Sequence, residues 1–242
     1  MRKIISFIIV SIFILSGAGY SLPNIPYEKA SLRNPMVFGR GFSAGLALPM
    51  DEARCQILSG KIRQELGLRR VRNELPADGK LTCDEIDYEW EQLGGEGTYL
   101  VRVGYLFFLD KSKYDRLSHG LKEELGNNII LIDKLYESDL GQVNLLSYTM
   151  GVIAVMLNSR DDINGKRIID AGSGDGILAL AAAKLGAAKV DLIEINHDKI
   201  VTARRNLKLN GLIEGADFKM IEADIKDTEK VTGALTPTEL ET

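Results

Sequence analysis

The chain has 242 residues, of which 45% are hydrophobic and 26% charged, with a formal net charge of −4. That is the composition of a globular protein of one or two domains, not of a disordered or fibrous one. The mild acidity excludes a general nucleic-acid footprint. The two cysteines form no C-x-x-C pair and have no histidines at zinc spacing, which excludes a zinc module.

Met1-Arg-Lys3 is a basic head, residues 4–15 are apolar apart from Ser6 and Ser11, and Ser16-Gly-Ala18 supplies small residues. This pattern reads as a secretory signal. Extended to Leu22 it gives 19 uncharged residues, enough to span a bilayer as an uncleaved anchor. Residues 1–21 are therefore expected to be a signal peptide or a membrane anchor, with the chain exported or membrane-anchored. The other reading is a misassigned start, with Met36 or Met50 as later starts and a cytoplasmic protein. Cys55 and Cys83 form a disulfide if the chain is exported, or are two unrelated thiols.

Residues 22–140 carry no assignable chemical motif and read as a small α+β region. The glycine-rich stretch 38–45 is a loop, since no strong helix opens after it. Residues 55–66 have helical spacing, with Ile57, Ile62 and Leu66 among interleaved charges. Lys61, Arg63, Arg69, Arg70 and Arg72 are close in sequence and read as a solvated helix face. Residues 99–109 are β-rich, 114–125 form a charged helix and 128–133 a short strand. An apolar helix over 144–157 is expected to pack on the next strand.

Residues 141–242 hold the informative stretch. The apolar Arg167-Ile-Ile169 leads into Asp170-Ala-Gly-Ser-Gly-Asp-Gly176, and an Ala-rich helical run follows. A strand feeding a helix through glycines brings a ligand against bare backbone and the positive end of a helix. The dinucleotide fingerprint G-x-G-x-x-G needs glycine or alanine at position 177, where Ile177 stands. Asp170 and Asp175 would repel a pyrophosphate, and they suit a cationic ligand without phosphate. S-adenosylmethionine is such a ligand, with an ammonium, a sulfonium and ribose hydroxyls.

Residues 189–195 read as a second strand. Glu194 lies 22 residues beyond Gly172, the place of an acid that accepts hydrogen bonds from ribose hydroxyls. Asn196 caps a helix that runs to Asn210, with Gly211 as its stop and Ile200, Ala203 and Leu207 on one face. His197 falls in the first turn of that helix and reads as an exposed residue. A third strand, Phe218-Lys-Met-Ile-Glu222, leads to Asp224, an acid placed to hold an adenine amino group.

Over residues 164–224 the chain resembles the class I S-adenosylmethionine-dependent methyltransferases. The runs LALAAAKLGAAKV and EINHDKIVTARRNLKLNGL are most similar to the ribosomal protein L11 methyltransferases and related small-domain methylases of RNA or protein. The resemblance implies an α/β fold with a Rossmann-like sheet, S-adenosylmethionine as cofactor, and a protein, RNA or small-molecule acceptor. By position, Asp170, Gly172, Ser173, Gly174, Asp175 and Gly176 would hold its methionine part. Glu194 with Ile195 would meet the ribose end, and Asp224 the adenine. No catalytic side chain and no metal ligand is indicated. The L11 type carries a Gly-Thr-Gly-x-His-like segment before the first strand, and here residues 145–150 have no histidine.

Such a sheet needs about seven strands, and the chain supplies the first three. After Asp224 come 18 polar, Thr-rich residues, expected to form at most one short helix. An Asn/Asp-Pro-Pro motif occurs nowhere. The chain therefore reads as a C-terminally truncated methyltransferase domain whose first strand is left as an open edge, to be completed by a second chain. The alternative reading is a non-catalytic, exported binding or interaction module with a degenerate methyltransferase fold. An uncleaved N-terminal segment would add a membrane as partner.

Overall fold

In the computed structural model, residues 7–10, 45–68, 87–93, 96–133 and 143–235 are described. The expectations for residues 1–6 and 11–44, for Cys83, and for Arg69, Arg70 and Arg72 lie outside the described residues.

The described elements begin with β1 (Phe7–Val10) and α1 (Glu52–Leu66). Asp51 starts α1 by accepting the Arg54 amide at 2.7 Å, and Gly67 stops it at φ 69°, a left-handed turn that glycine adopts without strain. Its buried stripe is Cys55, Leu58, Ile62 and Leu66, whereas Ile57 faces solvent. The face expected from the sequence was thus rotated, because Leu58 and Cys55 continue the stripe of Ile62 and Leu66 better than Ile57 does. Cys55 is buried and free, with burial pushing its thiol up to about 11. Lys61 is ion-paired to Glu124 at 2.6 Å, as a solvated, charge-alternating face requires.

Next come β2 (Asp87–Leu93), β3 (Glu96–Val103) and β4 (Leu106–Asp110), with β3 antiparallel to β2 and β4 antiparallel to β3. The β-rich run over 99–109 is therefore two strands, turned at Gly104 with φ 53°. The charged helix expected over 114–125 is also two, α2 (Lys111–Arg116) and α3 (His119–Leu125). Leu117 is extended between them, and the Ser118 hydroxyl accepts the Leu121 amide to start α3. A serine at that point competes with helix continuation by offering a cap. β5 (Ile129–Ile132) then pairs parallel with β4, giving a sheet of order β2-β3-β4-β5.

The remainder alternates: α4 (Val143–Asn158), α5 (Arg160–Ile163), β6 (Arg167–Ala171), α6 (Ile177–Lys184), β7 (Lys189–Glu194), α7 (His197–Leu209), β8 (Phe218–Glu222) and α8 (Thr228–Leu235). β6, β7 and β8 are parallel neighbours, the three strands of a Rossmann-like α/β sheet. The edge expected to stand open is paired: Phe7 to Val10 run parallel to Ile168 to Ala171. The sheet order is β1-β6-β7-β8.

That pairing bears on the expected location. Part of the apolar run assigned to a signal or anchor is a strand in the main sheet. No helix among the described residues is long and apolar enough to cross a membrane. The export and membrane-anchor reading is corrected at residues 7–10, because an apolar, β-branched run suits a parallel strand as well as it suits a signal.

One core joins the two sheets. Val101, Val103, Leu106, Phe108, Ile130 and Ile132 pack with Ile153 and Met156 of α4 and with α6, β7 and α7. A second core lies on the other side of β4, where Phe107 and Leu109 meet Leu58, Ile62, Leu121 and Leu125. The side chains of Phe107 and Phe108 are fully buried on opposite faces, each contributing about 2–3 kcal/mol of apolar transfer. The free face of the main sheet carries a smaller cluster, Ile193, Ile221 and Ala223, partly covered by Val231, Ala234 and Leu235 of α8.

Candidate functional site

The carboxyl ends of β6, β7 and β8 lie side by side, with Ala171 opposite Ile193 and Glu194 opposite Glu222. This is where open α/β sheets bind ligands. The turn leaving β6 holds Gly172, Gly174 and Gly176 at φ 76°, 52° and 78°, all left-handed. A β-carbon at Gly176 would lie 3.2 Å from Cβ of Ala203, so this glycine lets α7 approach the turn. A β-carbon at Gly174 would meet nothing within 4 Å, so this glycine borders open space.

The turn is pinned from the far side. The amides of Gly172 and Ser173 donate to the carbonyl of Ile193 at 2.8 and 3.1 Å, and the amide of Gly176 closes back on Ser173 at 2.9 Å. α6 begins at Gly176 without any side-chain cap, leaving its first amides to other partners.

Two polar groups at this turn are buried and unpartnered. Asp170 is fully buried and neither carboxylate oxygen has a hydrogen-bond partner. Burial pushes its carboxyl up to about 7, against the opposing pull of the nearby Ala179 amide, and the Glu194 charge adds to the rise. The Ser173 hydroxyl is also buried without a partner. Orphaned polar atoms of this kind cost of order 1–3 kcal/mol each, and an approaching ligand with donors would recover it.

Glu194 is engaged already. One oxygen accepts the Gly174 amide at 2.9 Å, and the other accepts the amides of Ile195 and Asn196, both at 2.8 Å. A carboxylate offers about four acceptor positions, so Glu194 braces the glycine turn and keeps one position spare. Ile195 is largely exposed beside it. Asp224 is exposed and accepts the Lys226 amide at 2.9 Å, an Asx turn after β8. Asp175 is taken up in an ion pair with Lys199 Nζ at 3.0 Å. The structure thus brings Asp170, Ser173, Gly174 and Glu194 to one place, puts Ile195 and Asp224 at the adjoining strand ends, and turns Asp175 toward α7.

Sequence reasoning passed over the face of α7 that backs the turn. Lys199 holds Asp175, Ala203 abuts Gly176, and Asn206 Nδ2 donates to the carbonyl of Asp175 at 2.9 Å. Positions 199, 203 and 206 form one helical stripe, so the spacing was visible, although its target was not. His197 is exposed, 3.4 Å from a carboxylate oxygen of Glu222, as a helix-start residue would be. Among the described residues no group of three or more His, Cys, Asp or Glu is arranged to hold a metal ion.

Comparison with known proteins points the same way. Residues 151–233 match the family model of the ribosomal protein L11 methyltransferases. A ribosomal protein L11 methyltransferase from Syntrophomonas wolfei is 52% identical over 154 residues, covering 63% of this chain and 47% of that protein. One from Deinococcus radiodurans is 48% identical over 58 residues, covering 24% of this chain and 21% of that one. Among solved structures, a ribosomal protein L11 methylase from Lactobacillus delbrueckii aligns at 24% identity with a TM-score of 0.37, covering 51% of this chain and 57% of that chain. The chain spans less than half the length of these two curated relatives. Resemblance to the S-adenosylmethionine-dependent methyltransferases of the L11 group, expected from the glycine turn and the α6–α7 runs, therefore holds across the segment that carries the site. It also counts against an exported protein, since the matched relatives are named for a ribosomal protein.

Proposed function

We propose that the chain binds S-adenosylmethionine at the ends of β6, β7 and β8 and serves in methyl transfer to a protein, with ribosomal protein L11 as the first acceptor to test. The observation that carries this reading is the buried, unpartnered Asp170 carboxylate beside the open space over Gly174. A cationic ligand lodged there would replace the water that Asp170 has lost, and its charge would hold the carboxyl ionised.

The residues present fit that cofactor. Asp170, Ser173 and the amides of the glycine turn would meet its methionine part, with the uncapped start of α6 behind them. The spare acceptor position of Glu194 would take a ribose hydroxyl. Ile195 offers an apolar surface next to it, and Asp224, exposed after β8, would accept from an adenine amino group. The bound cofactor supplies an electrophilic methyl on a sulfonium, and transfer is an in-line displacement that depends mainly on proximity and orientation. The chain's own residues hold and align the cofactor, so no further catalytic side chain is required of them. The family match over 151–233 and the curated relatives support this reading.

Calorimetric titration with S-adenosylhomocysteine tests it. We expect saturable one-site binding by the wild type, weakened at least tenfold in Asp170→Ala and in Glu194→Ala. Absence of binding by the wild type, or equal binding by all three proteins, would overturn the assignment. Incorporation of labelled methyl into ribosomal protein L11 tests the acceptor separately.

A further inference from the structure

The cofactor turn is wired to the second sheet through α7. Asn206 is completely buried, and both ends of its amide are used. Nδ2 donates to the carbonyl of Asp175 in the glycine turn, and Oδ1 accepts the amide of Asp133, just past β5, both at 2.9 Å. One helical turn on, Asn210 repeats the device on the same strand. Its Oδ1 accepts the Leu131 amide at 2.9 Å, and its Nδ2 donates to the Leu131 carbonyl at 2.6 Å and to the carbonyl of Asn206 at 2.9 Å. Arg205 adds an ion pair to Asp133 at 2.7 Å.

The geometry explains why two asparagines four apart suit this edge. Among the described residues β5 is the last strand of its sheet and pairs with β4 on one side only. In a parallel strand, alternate residues turn both backbone groups to the same side, so Leu131 and Asp133 present theirs at the free edge. An asparagine carries the same donor and acceptor as a peptide group. The i, i+4 pair on α7 therefore stands in for a neighbouring strand and closes an edge that would otherwise be open. Of the two, only Asn206 also reaches the glycine turn.

We propose that Asn206 is a positioning residue that couples the cofactor turn to the β5 edge, so that ligand binding and docking of the second sheet reinforce one another. The proposal rests on the cofactor reading above, and two states of the turn linked through one side chain must influence each other reciprocally. Asn210 is the built-in control, because it bonds the same edge at Leu131 and not the turn.

The test combines amide hydrogen exchange with titration of S-adenosylhomocysteine on the full chain, comparing Asn206→Ala with Asn210→Ala. Without ligand, Asn206→Ala should speed exchange at the amides of Gly174 and Gly176 as well as in β5, whereas Asn210→Ala should speed exchange in β5 alone. With ligand, the wild type should gain protection at Leu131 and Asp133, and Asn206→Ala should lose that gain. Affinity should drop about three- to tenfold in Asn206→Ala, the worth of one buried hydrogen bond, and less than about twofold in Asn210→Ala. If Asn206→Ala does not fold, the wild type alone decides: no gain of protection at Leu131 and Asp133 on saturation with S-adenosylhomocysteine would overturn the coupling. Matching exchange patterns in the two alanine variants would overturn the coupling. A wild type that binds no ligand, with the turn still loosened in Asn206→Ala, would instead sink the cofactor reading and leave the positioning role standing.

Discussion

Single residues set the chemistry of the turn, and Asp170 is the most constrained of them. Its carboxyl rises from 3.8 to about 7 because it is buried without a partner. Between those values the folded chain holds a proton that the unfolded chain has released, so stability falls as pH climbs from about 4 to about 7 and is level above. Asn cannot titrate. Asp170→Asn should therefore gain on the ligand-free wild type across that window, by on the order of 2–4 kcal/mol at pH 8, read from urea midpoints. A constant difference between pH 5 and pH 8 would show that Asp170 is not held protonated. Gly174 and Gly176 make a second contrast. Alanine at Gly176 meets both a left-handed φ and the Ala203 side chain, and should cost about 1–3 kcal/mol of stability. Alanine at Gly174 meets open space and should cost about 1 kcal/mol, while weakening S-adenosylhomocysteine binding more than its stability loss accounts for. The placement of these residues at the turn was legible because glycine spacing and a strand-end acid are local facts. The Asp175–Lys199 pair was not: the acid that looked aimed at the ligand is taken by a cation 24 residues on.

At the scale of elements, periodicity read well where one face is buried. Ile200, Ala203 and Leu207 of α7 are all in the core, as their spacing requires. It failed where a local competitor intervened. The split between α2 and α3 turns on Ser118, whose hydroxyl caps α3 and also donates to Glu65 of α1 at 2.6 Å. Ser118→Ala should lose both contacts and destabilise by about 1–2 kcal/mol in urea unfolding with an unchanged slope. A neutral result would mean that packing of Leu121 and Leu125 alone places the helix. Gly104 likewise divides a β-rich run into two strands, because a left-handed residue there lets Val103 face Leu106 across a tight turn.

At the scale of the whole molecule, the described residues form two four-stranded sheets sharing a core, with edges managed by distant parts of the chain. β1 lies along β6, and α7 closes β5. Ile9→Pro removes a backbone donor from β1. Amide exchange in β6 should then quicken at least tenfold, with exchange in β8 unchanged, since β7 lies between them. Equal protection of β6 in both proteins would show that β1 contributes nothing to that edge.

By itself, the sequence determined the strand–turn–helix unit, the order of three parallel strands, the acids at their ends and the ligand class they suit. Each of these depends on residues within about two dozen positions of one another, where spacing alone dictates geometry. Tertiary structure decided what sequence distance concealed. Residues 7–10 of an N-terminal run with the look of an export signal supply a strand, because a β-branched strand and a signal segment share one apolar pattern. Two asparagines on a surface-spaced helix become a substitute strand and a brace for the turn, because their partners at Leu131 and Asp133 lie 79 and 73 residues away and only folding brings them into hydrogen-bonding range.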